Sequence, residues 1–327
     1  MNDPNRIVDE MIDGYVAAYP KHIARAGHPR ALARADERGE KVGIVIGGGS
    51  GHEPGFMGYV GRGLADAVAV GNVFASPSPD PILAATRAAN RGKGVLYLYG
   101  NYAGDCMNFD MSAELAAMEN IRTATVRATD DAASAPPEER ERRRGIAGFV
   151  LLYKVAGAAA ERGYDLDALA ALSEKANANT RTMGVALSPC SLPQTGKPAF
   201  ELADDEMEIG LGIHGEPGLA RGKRMSADET AERLLETILG ELSLTEGDRV
   251  AVLVNGLGST TLMELYVVFR KTADILSSRG IRIHRSYVGE YVTSLEMGGC
   301  SISVMKLDDE LAMLIDDPCD SPALVQL

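Results

Sequence analysis

Three residues in this sequence have the types and settings that could do chemistry. The first is His52, in Gly51-His52-Glu53-Pro54-Gly55, directly after the run Ile44-Val45-Ile46 and the glycines Gly47–Gly51, which only Ser50 interrupts. The second is His214, in His214-Gly215-Glu216-Pro217-Gly218, an echo of the first stretch that follows Ile209–Ile213. An imidazole at such a place can hold or move a proton near neutral pH, or act as a nucleophile. The plainer alternative for each is an ordinary loop histidine beside glycines. The third residue is Asp105, just past the apolar run Gly94–Tyr99, among asparagine, tyrosine and glycine. It could be a general base near His52. Equally, it could close an Asx-turn or cap the helix that follows.

The glycine run could cradle a phosphate, but its sequence does not fit the known loops. It lacks the Lys-Ser/Thr ending of a P-loop, and it lacks the G-x-G-x-x-G spacing that leads into a helix with a later acidic ribose contact. Asn255-Gly256-Leu257-Gly258-Ser259 has the same ambiguity. A nucleotide-binding dehydrogenase is therefore disfavoured. His22, His28 and His284 have no companions at a metal-ligand spacing, so no metal site is expected.

The composition narrows the partners. The chain has 327 residues and a formal net charge of −13, which argues against nucleic acid and anionic membranes. Trp is absent and aromatic residues make up 5%, so no base-stacking platform is expected. No stretch of about 18 apolar residues occurs, and no secretory leader is expected from the first residues. The four cysteines are far apart, which fits reduced thiols in a cytoplasm.

The elements that must position these residues alternate in type. Strands are expected at Lys41–Ile46, Ala67–Val70, Gly94–Tyr99 and Arg122–Val126, the glycines after Ile46 forming a loop. Helices are expected before Pro20, from Asp80 (as N-cap) to about Asn90, over Phe109–Asn120, and over Ile146–Arg162 and Leu166–Thr180. The charge cluster Glu138–Arg144 reads as a solvated helix start. Further on, Met183–Leu187, Met207–His214, Arg249–Val254, Ile281–Tyr287 and Cys300–Leu307 read as strands. Ser226–Leu242, with Ser226 and Glu229 as a capping box, and Leu262–Arg279 read as helices. The pattern predicts an α/β protein of two domains, each with a mixed or mostly parallel sheet flanked by helices. The boundaries expected are 1–180, carrying the glycines, His52 and Asp105, and 181–327, carrying His214.

The chain resembles the substrate-binding K subunit of dihydroxyacetone kinases over nearly its whole length. The resemblance rests on Gly47–Pro54, Ala75-Ser76-Pro77-Ser78-Pro79, Asn101–Asp105 with Asn108-Phe109, and Gly212–Gly218. Asn255–Gly258, Gly298-Gly299-Cys300-Ser301 and Lys306–Glu310 extend it. It implies that His214 forms a covalent hemiaminal with the carbonyl carbon of a short ketose, which selects ketoses against glycerol. It implies that His52 and Asp105 are the acid/base pair that takes the proton from the attacking terminal hydroxyl. It also implies that Gly49, Ser50, Gly51 and Ser76 contact substrate.

One departure stands at Gly100, where the family commonly has lysine before Asn-Tyr. A lost cation and a larger pocket would suit a four-carbon ketose such as erythrulose. The resemblance further implies a cytoplasmic homodimer with no cofactor on this chain, and an L-type partner subunit carrying Mg²⁺ and ADP or ATP. The rival it allows is a non-catalytic ketose-binding sensor or co-regulator. The presence of His52, Asp105 and His214 together favours the enzyme.

Overall fold

The computed structural model describes residues 2–36 and 39–327. The chain forms two compact units, one built from residues 1–127, 152–175 and 317–327, the other from 128–151 and 176–316. The expected boundary near residue 180 lies close to one of the places, after residue 175, where the chain passes from one unit to the other.

The first unit opens with α1 (Ile7–Ala18), β1 (Ile23–Arg25) and β2 (Ala31–Arg34). Then come β3 (Gly43–Ser50), β4 (Ala67–Val73), α2 (Pro79–Ala89), β5 (Val95–Gly100), α3 (Ala103–Met118) and β6 (Thr123–Ala128). The sheet order is β1-β2-β4-β3-β5-β6. β3 is parallel to both neighbours, β4 and β5, while β1 and β2 run antiparallel. The branched side chains of Ile44, Val45 and Ile46 are fully buried at its centre, as expected of a parallel strand covered on both faces. Because β4 and β5 flank β3 in parallel, their C-terminal ends meet at one edge of the sheet. The order there reverses from one side of β3 to the other, the place where open α/β sheets bind ligands.

Two expectations shift here. The glycines do not leave the sheet: β3 continues to Ser50, and every residue of it is buried. A Cβ at Gly48 would lie 2.6 Å from Cζ of Phe56, and one at Gly49 would lie 2.7 Å from the amide nitrogen of Ala75. The glycines therefore let neighbouring chain pack onto a strand rather than open a loop. The helix expected from Asp80 begins at Pro79, with Ser78 at the N-cap and no side-chain capping bond.

Two helices follow, α4 (Phe149–Glu161) and α5 (Leu166–Ala178). The second unit holds β7 (Thr180–Ser188), the short strands β8 (Ser191–Leu192) and β9 (Lys197–Pro198), β10 (Glu206–Ile209) and β11 (Ala220–Lys223). It continues with α6 (Ala227–Glu241), β12 (Arg249–Gly256), α7 (Leu262–Ser278), β13 (Arg282–Gly289), β14 (Gly298–Leu307) and α8 (Asp309–Asp316). Its sheet, in the order β11-β10-β7-β14-β12-β13, is mixed: only β12 and β13 pair in parallel. Val250, Val252, Val254, Ile302 and Val304 of this sheet pack with Leu234, Leu235 and Ile238 of α6 and Leu265, Val268 and Leu276 of α7. The capping box on α6 forms as expected, Ser226 N donating to Glu229 Oε2 at 2.8 Å and Glu229 N to Ser226 Oγ at 3.3 Å.

The last segment returns to the first unit as β15 (Cys319–Asp320) and β16 (Val325–Gln326). Asp320 bridges Arg62, and Asp317 accepts from Arg162 at 2.6 and 2.8 Å and, through its carbonyl, from Lys154.

The cluster Glu138–Arg144 is not uniformly solvated. Arg143 is fully buried and donates to both carboxylate oxygens of Glu241 at 2.6 and 2.8 Å. Arg144 donates to Asp131 at 2.8 Å. A run of like charges conceals such inward-facing members, because their partners are distant in sequence.

Candidate functional site

In the first unit the candidate residues gather at the C-terminal edge of β3, β4 and β5. His52 is 1% exposed. Its ring stacks on Phe74 at 5.0 Å and meets the edge of Phe56 at 6.3 Å. Phe74 holds φ at 54°, an uncommon conformation for a bulky residue and a costly one. Its amide donates to Ser50 O at 3.0 Å, so the chain after β4 is bent back onto the end of β3 with an aromatic face against His52. Gly49 makes this approach possible. Ser50 Oγ donates to Gly71 O at 2.8 Å, which ties β3 to β4. Gly51 has φ 96°, and its amide donates to both carboxylate oxygens of Glu53 at 3.1 and 3.0 Å. Burial raises the Glu53 carboxyl above its ordinary value.

Asp105 is neither an Asx-turn nor an N-cap. The helix starts earlier than expected, with Tyr102 at the N-cap, so Asp105 lies in the first turn of α3, where the helix dipole favours a carboxylate. It shares a buried stripe with Phe109, Ser112 and Ala116. Phe109 stacks on Tyr99 at 4.1 Å and meets Tyr97 edge-on at 5.2 Å, which fixes α3 against β5. Asn108, one residue before Phe109, donates to Ser76 Oγ at 3.2 Å and Pro77 O at 2.8 Å, pinning the turn after β4 to the same helix. Gly100 is the buried last residue of β5.

In the second unit His214 lies in the loop between β10 and β11, which pair with each other in antiparallel fashion. The loop is closed at its base by Leu219 N to Ile209 O at 2.8 Å, and Ile213 O accepts from Ser294 Oγ. His214 is partly open to solvent, its side chain 24% exposed. Glu216 accepts twice from this one residue: from the backbone amide at 2.9 Å and from ring Nδ1 at 3.0 Å. Burial alone would raise the Glu216 carboxyl, but the hydrogen bond and charge of His214 outweigh it and hold the group down to about 2. Glu216 is thus a carboxylate at neutral pH. A carboxylate only accepts, so Nδ1 carries the hydrogen.

The two echoing stretches fold alike at one point. In each, the glutamate accepts from the amide two residues before it, Gly51 in the first and His214 in the second. Only the second stretch has its histidine at that place. The sequence displayed Glu216 in the repeated motif, yet nothing in the spacing separated its role from that of Glu53.

The chain from Asn255 to Gly258 is packed against protein. A Cβ at Gly256 would overlap the carboxylate of Glu290, and one at Gly258 would overlap Leu295 O. Asn255 Oδ1 accepts from Tyr291 N at 2.9 Å and Val292 N at 2.8 Å. Among the described residues no group of three or more His, Cys, Asp or Glu side chains could hold a metal ion, and no helix is long and apolar enough to cross a membrane.

The model of the Dak1 domain matches residues 13–323. The chain belongs to the Dak1 family. A Dak1 relative from Listeria innocua, the PTS-dependent dihydroxyacetone kinase 2 dihydroxyacetone-binding subunit DhaK, is 49% identical over 98% of this chain and 97% of its own length. The D-erythrulose kinase of Mycolicibacterium smegmatis is 44% identical over 98% of this chain but only 55% of its own length. Among solved structures, the dihydroxyacetone kinase operon co-activator Dha-DhaQ superimposes with a TM-score of 0.91 at 33% identity, over 97% of this chain and 98% of that one. The two-unit α/β architecture is therefore that of the family.

Proposed function

We infer that this chain is the substrate-binding subunit of a dihydroxyacetone-type kinase, a phosphotransferase to an alcohol group that acts together with a partner subunit. The observation that carries this reading is His214: a partly open imidazole anchored by a carboxylate, in a chain nearly half identical to a dihydroxyacetone-binding subunit.

The mechanism we propose follows from that anchor. A ring nitrogen of His214 adds to the carbonyl carbon of a short ketose and forms a hemiaminal. A polyol offers no such carbon, so glycerol is refused by chemistry rather than by size. The adduct also fixes the terminal hydroxyl, removing much of the orientational entropy of the transfer. His52 and Asp105 act as the acid/base pair that takes the proton from this hydroxyl as it attacks phosphorus. Gly51 and Gly100 would give the substrate close access to backbone, while Gly49, packed against Ala75, would act by seating the chain around His52. Ser50 already donates its hydroxyl proton to Gly71, and Ser76 is engaged by Asn108, so these two would meet the ketose with lone pairs or main chain.

In this reading an L-type partner subunit carries the nucleotide with Mg²⁺, giving its phosphoryl group as ATP and left as ADP, which is then recharged or exchanged. Glycines 48 and 49, the part of this chain most like a phosphate cradle, are packed against Phe56 and Ala75. We place the protein in the cytoplasm as a homodimer, on the family resemblance.

The test uses dihydroxyacetone labelled with ¹³C at its carbonyl carbon. A tetrahedral carbon signal should appear on the native protein and vanish in His214→Ala; its persistence would move the nucleophile elsewhere. His52→Asn should keep that signal yet lose about 10²–10⁴-fold in phosphorylation with the partner present. Full turnover in His52→Asn would remove it from the mechanism.

A second reading concerns the substrate. Gly100 stands where the resemblance leads one to expect lysine, and erythrulose kinases are among the relatives. Turnover of erythrulose should exceed that of dihydroxyacetone with the donor held constant; a strong preference for dihydroxyacetone would defeat this reading. A purely sensory role, suggested by the co-activator's similarity, would leave both ketoses bound and neither phosphorylated.

A further inference from the structure

The anchor of His214 is itself anchored. Glu216 turns one oxygen, Oε1, to the ring Nδ1 and the other, Oε2, to the backbone amide of the same histidine. Arg144 lies behind it, Nη1 at 3.8 Å from Glu216 Oε2. The guanidinium is held in turn by Asp131 at 2.8 Å and by Gly210 O at 3.3 Å. Asp131 is 1% exposed and also accepts from Ala133 N at 3.0 Å. All of these residues belong to the second unit.

We propose that Glu216 is a positioning residue that fixes the tautomer of His214, and that Arg144, clamped by Asp131, holds Glu216 for that task. The inference rests on the reading of His214 as the ketose-binding nucleophile. With hydrogen on Nδ1, a neutral ring keeps its lone pair on Nε2, and Nε2 is the nucleophile. Its pair forms the N–C bond to the carbonyl carbon. The C=O π pair moves onto oxygen, which takes a proton from solvent. The ring, substituted at Nε2 and still protonated at Nδ1, then carries one positive charge opposite the Glu216 carboxylate, as the acidic partner of a catalytic histidine stabilises an imidazolium. A neutral partner would lose both effects, since an amide accepts or donates equally well and carries no charge.

The full-length protein with ¹⁵N-labelled histidine, alone and with carbonyl-labelled dihydroxyacetone, tests this. In the native protein the ring should report hydrogen on Nδ1. In Glu216→Gln the tautomer should become mixed, and the tetrahedral carbon signal should fall about ten-fold or more at fixed ketose, the scale of a charge-assisted hydrogen bond. Arg144→Lys, which leaves His214 untouched, should give a smaller loss in the same direction and keeps the test alive if Glu216→Gln does not fold. An unchanged tautomer with an undiminished adduct in folded Glu216→Gln, or in folded Arg144→Lys where Glu216→Gln does not fold, overturns the proposal. His214→Ala separates the two ideas. An adduct that survives there defeats the nucleophile itself. An adduct lost there but undisturbed in Glu216→Gln and Arg144→Lys defeats only the positioning role.

Discussion

Gly212→Ala should separate adduct formation from folding. A Cβ built on Gly212 stands 2.7 Å from Cδ of Glu216, and both Oε2 of that residue and Nη1 of Arg144 are nearer still. Ordinary contact begins at 3.4 Å, so the carboxyl carbon must retreat by about 0.7 Å. Where that retreat runs along the 3.0 Å hydrogen bond to His214, the separation grows to about 3.7 Å, beyond hydrogen-bonding reach. A charge-assisted bond contributes about 1.5–3 kcal/mol, so the adduct should weaken by roughly 10- to 100-fold. Stability should change less than the adduct, because the displaced atoms are the ends of two side chains, Glu216 and Arg144, and Gly212 does not hold a positive φ. The assay is the tetrahedral carbon signal titrated with labelled dihydroxyacetone, alongside thermal melting of the same sample. A native melting curve with a native adduct population would show that the Glu216 contact does not matter to His214.

Glu241→Ala should destabilise far more. It strips the carboxylate from fully buried Arg143 and from Arg181, which donates to it at 2.8 Å. Breaking such a pair costs about 3–5 kcal/mol, read from denaturant midpoints, and a loss below about 1 kcal/mol would refute the assignment. Ser226→Ala removes the cap of α6 and should lower stability by about 1 kcal/mol without touching ketose binding; an unchanged midpoint would mean that the exposed box contributes nothing. Glu216 adds a pH dependence. Its carboxyl is held at about 2 against an ordinary 4.5, so its contribution is complete above pH 4.5 and fades as pH falls from there toward 2. The stability gap between the native protein and Glu216→Gln should narrow through that window, and a gap that stays constant would contradict it.

Much of the fold is written in short-range pattern. Ile44-Val45-Ile46 reads as a buried strand because branched apolar residues suit nothing else so well, and Ser226 with Glu229 announces its helix by chemistry alone. The extension of β3 through glycine does not, because glycine disfavours strands and its reason here is the ring of Phe56 and the backbone at Ala75. The start of α3 is hard to read from sequence for a related cause. Asn-Tyr-Ala-Gly-Asp looks like a loop, and no capping side chain announces the helix, since Tyr102 stands at the N-cap without a side-chain bond. Of the candidate site, the three polar residues were visible as polar residues at strand ends. Phe74 was not, since its part is played through a strained φ. Arg144 was hidden, with buried Arg143, inside a charged run whose Glu138, Glu141 and Arg142 do face water.

The return of residues 317–327 to the first unit bears on how the protein is made. Arg62 and Asp320, which bridge there, lie far apart in the sequence. Contacts so distant in sequence slow folding, and here the C-terminal partner is also made last. During synthesis the first unit must therefore wait, incomplete, while the whole second unit emerges. A chain shortened to residue 316 would lose the Asp317 contacts to Lys154 and Arg162 and the cover over Gly61 and Gly63. Its characteristic failure should be aggregation through an unfinished first unit, with the second unit folded normally beside it.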